Sequence, residues 1–285
     1  MALFDRVHNY LGLVRFSHTI FALPFALASM LVAAGGLPAW PLIGWILVCM
    51  VSARTAAMTF NRIVDREIDA LNPRTQSRHL PRGAVSLFEA IGLWLVSSAL
   101  FFWGAWSLNS LAFVLSPLAF IVINGYSYFK RFSWLSHFVL GLSLAIAPVG
   151  AWIGVQGNVS LASLLLAAGV LLWVAGFDII YALMDEEFDK TQGLHSLVVR
   201  CGKKNALRIA FALHGLCIVF IAFFGYASHL GWIYFGGITI FAGLIIYEHS
   251  IVSPEDVSRV NTAFFTVNGA ISLGVLVCTI LDMMG

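Results

Sequence analysis

Nine runs of about twenty apolar residues, almost free of charge, most constrain what this chain can fold into. They lie at roughly 18–36, 40–62, 86–106, 108–128, 134–154, 161–184, 205–227, 230–248 and 261–282. Twenty helical residues rise about 30 Å, the thickness of a bilayer's hydrocarbon core. Of the 285 residues, 60% are hydrophobic and only 11% charged, where a soluble domain carries about 25% charged residues. A water-soluble globule is therefore excluded. The expected fold is all-α, a polytopic membrane protein of nine transmembrane helices. Residues 1–285 read as a single transmembrane domain without linker or low-complexity tract. The run after His18 is longer than the 7–15 residues of a signal peptide's apolar region, so no cleavable signal is expected.

Charge placement gives the orientation. The connections Gly35–Pro38, Trp106–Asn109, Gln156–Asn158 and Ser228–Gly231 read as tight turns and contain no Lys or Arg. Nearly all sixteen Lys and Arg fall on the opposite side, among them Arg6 and Arg15, Arg62–Arg82, Lys130 and Arg131, Lys190–Arg208, and Arg259. The positive-inside rule places these loops and the amino terminus in the cytoplasm, with the chain integral to the cytoplasmic (inner) membrane. No nucleic-acid partner is expected. The four cysteines show no paired spacing, and no HxxxH or HExxH motif suggests zinc.

One stretch breaks the apolar pattern with purpose. In Thr59–Asp69 the residues Asn61, Asp65 and Asp69 stand at i, i+4 and i+8. On a helix they line one face, each step rising about 6 Å. An amide and two carboxylates in a row beside a membrane suit a hard cation with oxygen ligands, Mg²⁺ above all. The pattern recurs as Asp185 and Asp189, with Asp178 and Tyr181 extending it at i−7 and i−4 from Asp185. Four crossings separate the two stripes, so both meet the same membrane face. Facing carboxylates repel unless a cation lies between them, which suggests one or two Mg²⁺ bridging a diphosphate. Arg78 and Arg82 in one loop, and Lys130 and Arg131 in another, could clamp its phosphate oxygens. The competing structural reading pairs these acids with nearby Arg62, Arg66 and Lys190.

Arg54 lies seven residues before Asn61, hence about 10 Å deeper on the same face. An arginine there is costly unless paired or wetted. It either pairs with Asp178 or grips the carboxylate of an organic substrate lying beyond the diphosphate. Membrane lipid and apolar walls leave room for a long hydrocarbon tail.

These residues carry a resemblance. The run Asn61-xxx-Asp65-xxx-Asp69, followed by Arg74 to Gly83, is similar to the first signature of the UbiA superfamily of intramembrane aromatic prenyltransferases. Asp178-xx-Tyr181-Ala182-xx-Asp185-xxx-Asp189 resembles the second, and Tyr126-xxx-Lys130-Arg131 the loop between them. The resemblance implies a helical bundle around a large central cavity open laterally to lipid. It implies Mg²⁺-dependent transfer of a polyprenyl group from polyprenyl diphosphate to a hydroxylated aromatic carboxylate. Asn61, Asp65, Asp69, Asp185 and Asp189 would then hold Mg²⁺ and diphosphate, and Arg78, Lys130 and Arg131 would bind phosphate. Arg54 would contact the aromatic carboxylate, with Tyr126 and Tyr181 lining the cavity. Asp65, Asp69, Asp178, Asp185 and Asp189 are the candidate catalytic acids. The base that removes the ring proton stays open between Asp178, Asp185 and product diphosphate.

Three departures bear on the acceptor. Ser127 stands where many benzoate-type members have proline, His137 where glutamine is common, and His195 where lysine is common. With Arg15–Pro24, they resemble the branch labelled 4-hydroxybenzoate polyprenyltransferase, some members of which serve menaquinone synthesis from dihydroxynaphthoate. The expected place is therefore ubiquinone or menaquinone biosynthesis. The rivals are a porphyrin, chlorophyllide or glycerol-lipid acceptor and, from another class, a cation-coupled transporter. A CDP-alcohol phosphotransferase is disfavoured because its DGxxAR run is absent.

Overall fold

The computed structural model describes residues 9–14 and 21–285. Arg6, Arg15 and the Arg15–Ile20 part of the amino-terminal stretch lie outside them. The long helices are α1 (Leu23–Ala34), α2 (Trp40–Val64), α4 (Leu87–Leu108), α5 (Ser110–Phe129), α6 (Ser136–Gln156), α7 (Leu161–Ala182), α9 (Leu197–Ala227), α10 (Trp232–Ser250) and α11 (Asn268–Met284). Two short helices, α3 (Arg66–Leu71) and α8 (Glu186–Thr191), follow α2 and α7, and a π-helical turn, Thr262–Val267, precedes α11. No strand occurs among the described residues. Among the described residues, eight helical stretches are long and apolar enough to cross a membrane. The twelve-residue α1 occupies the place of the first expected span, whose residues 18–20 lie outside the described region.

Local chemistry sets the boundaries. α1 starts with Pro24 in its first turn and stops at Gly35, whose φ of 66° is left-handed, while Gly35 and Gly36 N–H cap Val32 and Leu31 carbonyls. Ser86 and Glu89 form a reciprocal capping box that opens α4, and Ser160 and Ser163 do the same for α7. α9 begins eight residues before the expected 205, turning at Gly202 (φ 78°). The cluster of Lys203, Lys204 and Arg208 made that turn read as a loop.

α7 is the hub. In its apolar window 61% of residues are buried, against 22% in α2, α4 and α5, whose outer faces are left to lipid. α6 and α9 pack along α7, α1 fills the space between α6 and α11, and α2 pairs with α4 and α5. Close approach at the hub needs glycine: a Cβ on Gly141 of α6 would meet the Leu171 carbonyl oxygen of α7 at 2.4 Å. Gly154 of α6 likewise sits tight against Leu108 and Ile46. Gly150 has open space before it and lines a cavity instead.

Gly141→Ala is expected to force α6 off α7 at a cost of about 1–3 kcal/mol, the usual range for overpacking. Gly150→Ala should cost nothing. Thermal unfolding of both variants in detergent checks the pair; equal midpoints would contradict the packing described.

Candidate active site

The parallel ends of α2 and α7 turn sharply where their acids begin, and this builds the site. α2 stops at Asp65 (φ −90°, ψ 5°) and resumes as α3, so the first stripe bends instead of running straight. Asn61 still reaches Asp65, its Nδ2–H donating to Oδ2 at 2.9 Å. At the corresponding end of α7, a 3₁₀ turn (Leu183–Asp185) puts Asp185 at the junction with α8, and Asp189 follows in α8. Both stripes open onto one cavity of about 280 Å³. Asn61, Asp65, Asp69, Asp178, Asp185, Asp189, Arg54, Arg78, Lys130, Tyr126 and Tyr181 all line it. Two expected phosphate contacts do not. Arg82 is exposed and outside the cavity. Arg131 turns to the end of α2, donating to the Val64 carbonyl at 2.8 Å and to Asp65 Oδ1 at 3.3 Å. The unsatisfied carbonyls at a helix C-terminus favour a cation there.

Cations do stand against the carboxylates, and in this structure they are side chains. Lys130 Nζ lies 3.0 Å from Asp65 Oδ2. Arg78 Nη1 donates to both oxygens of Asp69, at 2.6 and 2.7 Å. Arg74 forks onto Asp185, Nε to Oδ1 at 2.9 Å and Nη2 to Oδ2 at 2.5 Å, and its Nη1 donates to the Tyr181 hydroxyl at 2.8 Å. Asn72 adds an Nδ2–H bond to Asp185 at 3.3 Å. Burial opposes the Arg74 charge, but the hydrogen bond and charge of Asp185 outweigh it and raise its pKa. The nearby partners proposed from sequence are mostly engaged elsewhere: Arg66 pairs with Glu67 and Lys190 with Glu186, and only Arg62 approaches Asp69, at 4.0 Å. Arg74 and Asn72 had received no role. Their signal was the position of Arg74, one turn before Arg78 in the same loop.

Deeper in, Asp178 is bonded to His137, whose Nδ1 lies 2.7 Å from Oδ2. Arg54 therefore does not pair with Asp178. Among the described residues Arg54 makes no ion pair, and its buried Nε has no hydrogen-bond partner. Arg54 and Tyr126, with Met58, Leu140 and Leu144, also line a second cavity of about 600 Å³ whose walls are almost wholly apolar. The charged mouth thus continues past Arg54 into a hydrocarbon-lined chamber between α2, α4, α5 and α6.

The donor set fits Mg²⁺ chemically: carboxylates and an amide oxygen around one cavity, of the kind that binds the ion together with substrate phosphates. Among the described residues no three acids, histidines or cysteines converge closely enough to hold an ion. The arginines and Lys130 keep them apart.

A helical membrane bundle with a charged mouth over an apolar chamber suits a ligand with a charged head and a hydrocarbon tail. The UbiA prenyltransferase family matches residues 22–270, and the chain belongs to that family; it is a prenyltransferase. It is 29% identical over 274 residues, 95% of each chain, to 4-hydroxybenzoate octaprenyltransferase of Shewanella woodyi. The corresponding Escherichia fergusonii protein is 30% identical over 241 residues, covering 83% of this chain and 81% of that one. A UbiA homologue from Aeropyrum pernix superposes with a TM-score of 0.84 at 35% identity, over 93% of this chain and 98% of that one. A UbiA homologue from Archaeoglobus fulgidus bound to GPP and Mg²⁺ superposes at 0.74 and 22% identity, over 97% of this chain and all of that one, and shares the fold.

Because Asp69 is buried, removing its partner should cost more than removing the pair. Arg78→Ala is expected to destabilise the protein by about 3 kcal/mol. Adding Asp69→Asn to Arg78→Ala should recover at least half of that. A double-mutant cycle of unfolding free energies measures it; simple additivity would contradict the pairing.

Proposed function

We propose that this protein transfers a polyprenyl group from its diphosphate to a ring carbon of a hydroxylated aromatic acid, of the 4-hydroxybenzoate or dihydroxynaphthoate type, for ubiquinone or menaquinone synthesis. The observation that carries the reading is Arg54: its buried Nε has no hydrogen-bond partner among the described residues, and it stands where the charged cavity meets the apolar chamber. An unpaired arginine at that depth is stabilised by a compact anion, and an aromatic carboxylate supplies one together with a flat ring. The chamber suits the prenyl tail. The relatives named for 4-hydroxybenzoate prenylation support the same acceptor class.

The chain's own residues suggest how the head group is taken. Incoming diphosphate competes with Asp69 and Asp65 for Arg78 and Lys130, since phosphate oxygens make equally strong charge-assisted bonds. The freed carboxylates, with Asn61, Asp185 and Asp189, are the residues that would hold Mg²⁺. Held by these residues, Mg²⁺ would supply charge neutralisation for the diphosphate leaving group. Arg78 and Lys130 bind phosphate oxygens and stabilise that charge as the allylic C–O bond breaks. Tyr126 and the apolar walls keep water from the allylic cation until the ring attacks it. By the placement of basic residues, the mouth faces the cytoplasm across the inner membrane.

With purified protein, a polyprenyl diphosphate and both acids in competition, mass spectrometry is expected to show one prenylated acid and released diphosphate. Arg54→Met should raise KM for that acid at least tenfold and leave KM for the prenyl diphosphate within threefold. The opposite split would overturn the assignment of Arg54.

A further inference from the structure

We propose that Asp178 removes the ring proton and that His137 is the positioning residue that keeps it fit to do so. The inference rests on the aromatic-acid reading above and adds the proton acceptor that reading leaves open. Three of the five acids lining the charged cavity neutralise a neighbouring cation: Asp65 with Lys130 and Arg131, Asp69 with Arg78, Asp185 with Arg74. Their oxygens are engaged by those bases, and in the reading above they pass to Mg²⁺ and the head group. Among the described residues Asp189 carries no such partner, but it lies in α8 at the mouth, with the head-group residues. Asp178 sits on α7 itself, seven residues before Asp185 and so about 10 Å further in. It lines the same cavity as Arg54 and Tyr126.

The partner of Asp178 is a neutral imidazole, and the structure assigns its tautomer. His137 is 3% exposed, and its Nε2 accepts the backbone N–H of Leu197 at 3.2 Å. An Nε2 that accepts carries no hydrogen, so the imidazole proton is on Nδ1 and is donated to Asp178 Oδ2 at 2.7 Å. An imidazolium would set Nε2–H against the Leu197 N–H, two donors face to face. The peptide that fixes the ring opens α9, capped by Ser196 Oγ accepting from Val199 N–H. His137 thus orients one carboxylate oxygen without adding a positive charge, leaving the other oxygen for a proton.

The step balances. The allylic C–O bond breaks and its electron pair leaves with diphosphate. A ring π pair forms the new C–C bond ortho to the hydroxyl. The C–H bond at that carbon then breaks, its pair restores aromaticity, and the proton passes to Asp178.

The test uses the full-length protein, geranyl diphosphate and a form of the prenylated acid carrying deuterium ortho to its hydroxyl. In the unaltered protein kcat should show little isotope effect. Asp178→Asn should lower kcat about 100-fold, the lower range for loss of a general base, with a clear primary isotope effect and unchanged KM for geranyl diphosphate. His137→Gln, which keeps an N–H donor and an acceptor, should retain most of kcat. His137→Leu should lose at least tenfold and acquire the isotope effect. Turnover of Asp178→Asn within threefold of the unaltered protein, or a fall without isotope effect, would overturn the assignment. So would weakened binding of geranyl diphosphate, which would place Asp178 with the head group. Failure of the unaltered protein to prenylate either acid would overturn the functional reading, and this inference with it.

Discussion

The site depends on the pairing of three buried or half-buried acids with three bases brought from loops. Asp65 meets Lys130, Asp69 meets Arg78 and Asp185 meets Arg74. Each pair ties the end of α2 or α7 to a segment that would otherwise wander: Arg74 and Arg78 anchor the loop after α3, and Lys130 anchors the end of α5. Such pairs seldom add much stability, because desolvation offsets the attraction. What they provide is a preformed set of charges at a membrane mouth that a substrate anion can rearrange without unfolding anything. Tyr181 extends the arrangement: it accepts from Arg74, and its ring lies 4.4 Å from that of Phe264 in the π-helical turn.

That π turn is held by a second polar set. Asn268 accepts from Trp173 Nε1 at 2.6 Å and donates to Glu248 at 2.7 Å and to the Ala263 carbonyl at 3.0 Å. One amide therefore links α7, α10 and α11 inside the bilayer, where helices gain little from burying apolar surface and interhelical hydrogen bonds supply specificity. The extra residue of the π turn presents Phe264 to the cavity wall. The framework and the site are thus joined by named contacts through Phe264 and Tyr181.

Much of this was legible in the sequence. Runs of apolar residues gave the helices because lipid permits few other structures, and i, i+4 spacing brought Asn61, Asp65, Asp69, Asp185 and Asp189 to one cavity. What the spacing could not give was partner choice. Asp185 lies 111 residues in sequence from its base Arg74 and 113 from the Asn72 amide, and such pairing follows loop geometry, while loops carry no periodicity. Arg131 read as a cavity residue by its place beside Lys130, yet neighbours at the end of a helix point apart. His137 read only as a departure from glutamine; its bond to Asp178 spans 41 residues and two helices. The bend at Asp65 was likewise invisible, since no proline or glycine marks it.

The central claim is that diphosphate and Mg²⁺ share one set of acids and bases, so each must make room for the other. Calorimetric titration of Mg²⁺ into the protein, with and without a non-hydrolysable prenyl diphosphate analogue, measures that linkage directly. Mg²⁺ is expected to bind weakly alone, because Lys130, Arg78 and Arg74 occupy its ligands. With the analogue present it should bind at least tenfold more tightly, a coupling of about 1.4 kcal/mol. Equal Mg²⁺ affinity in the two titrations would contradict the account.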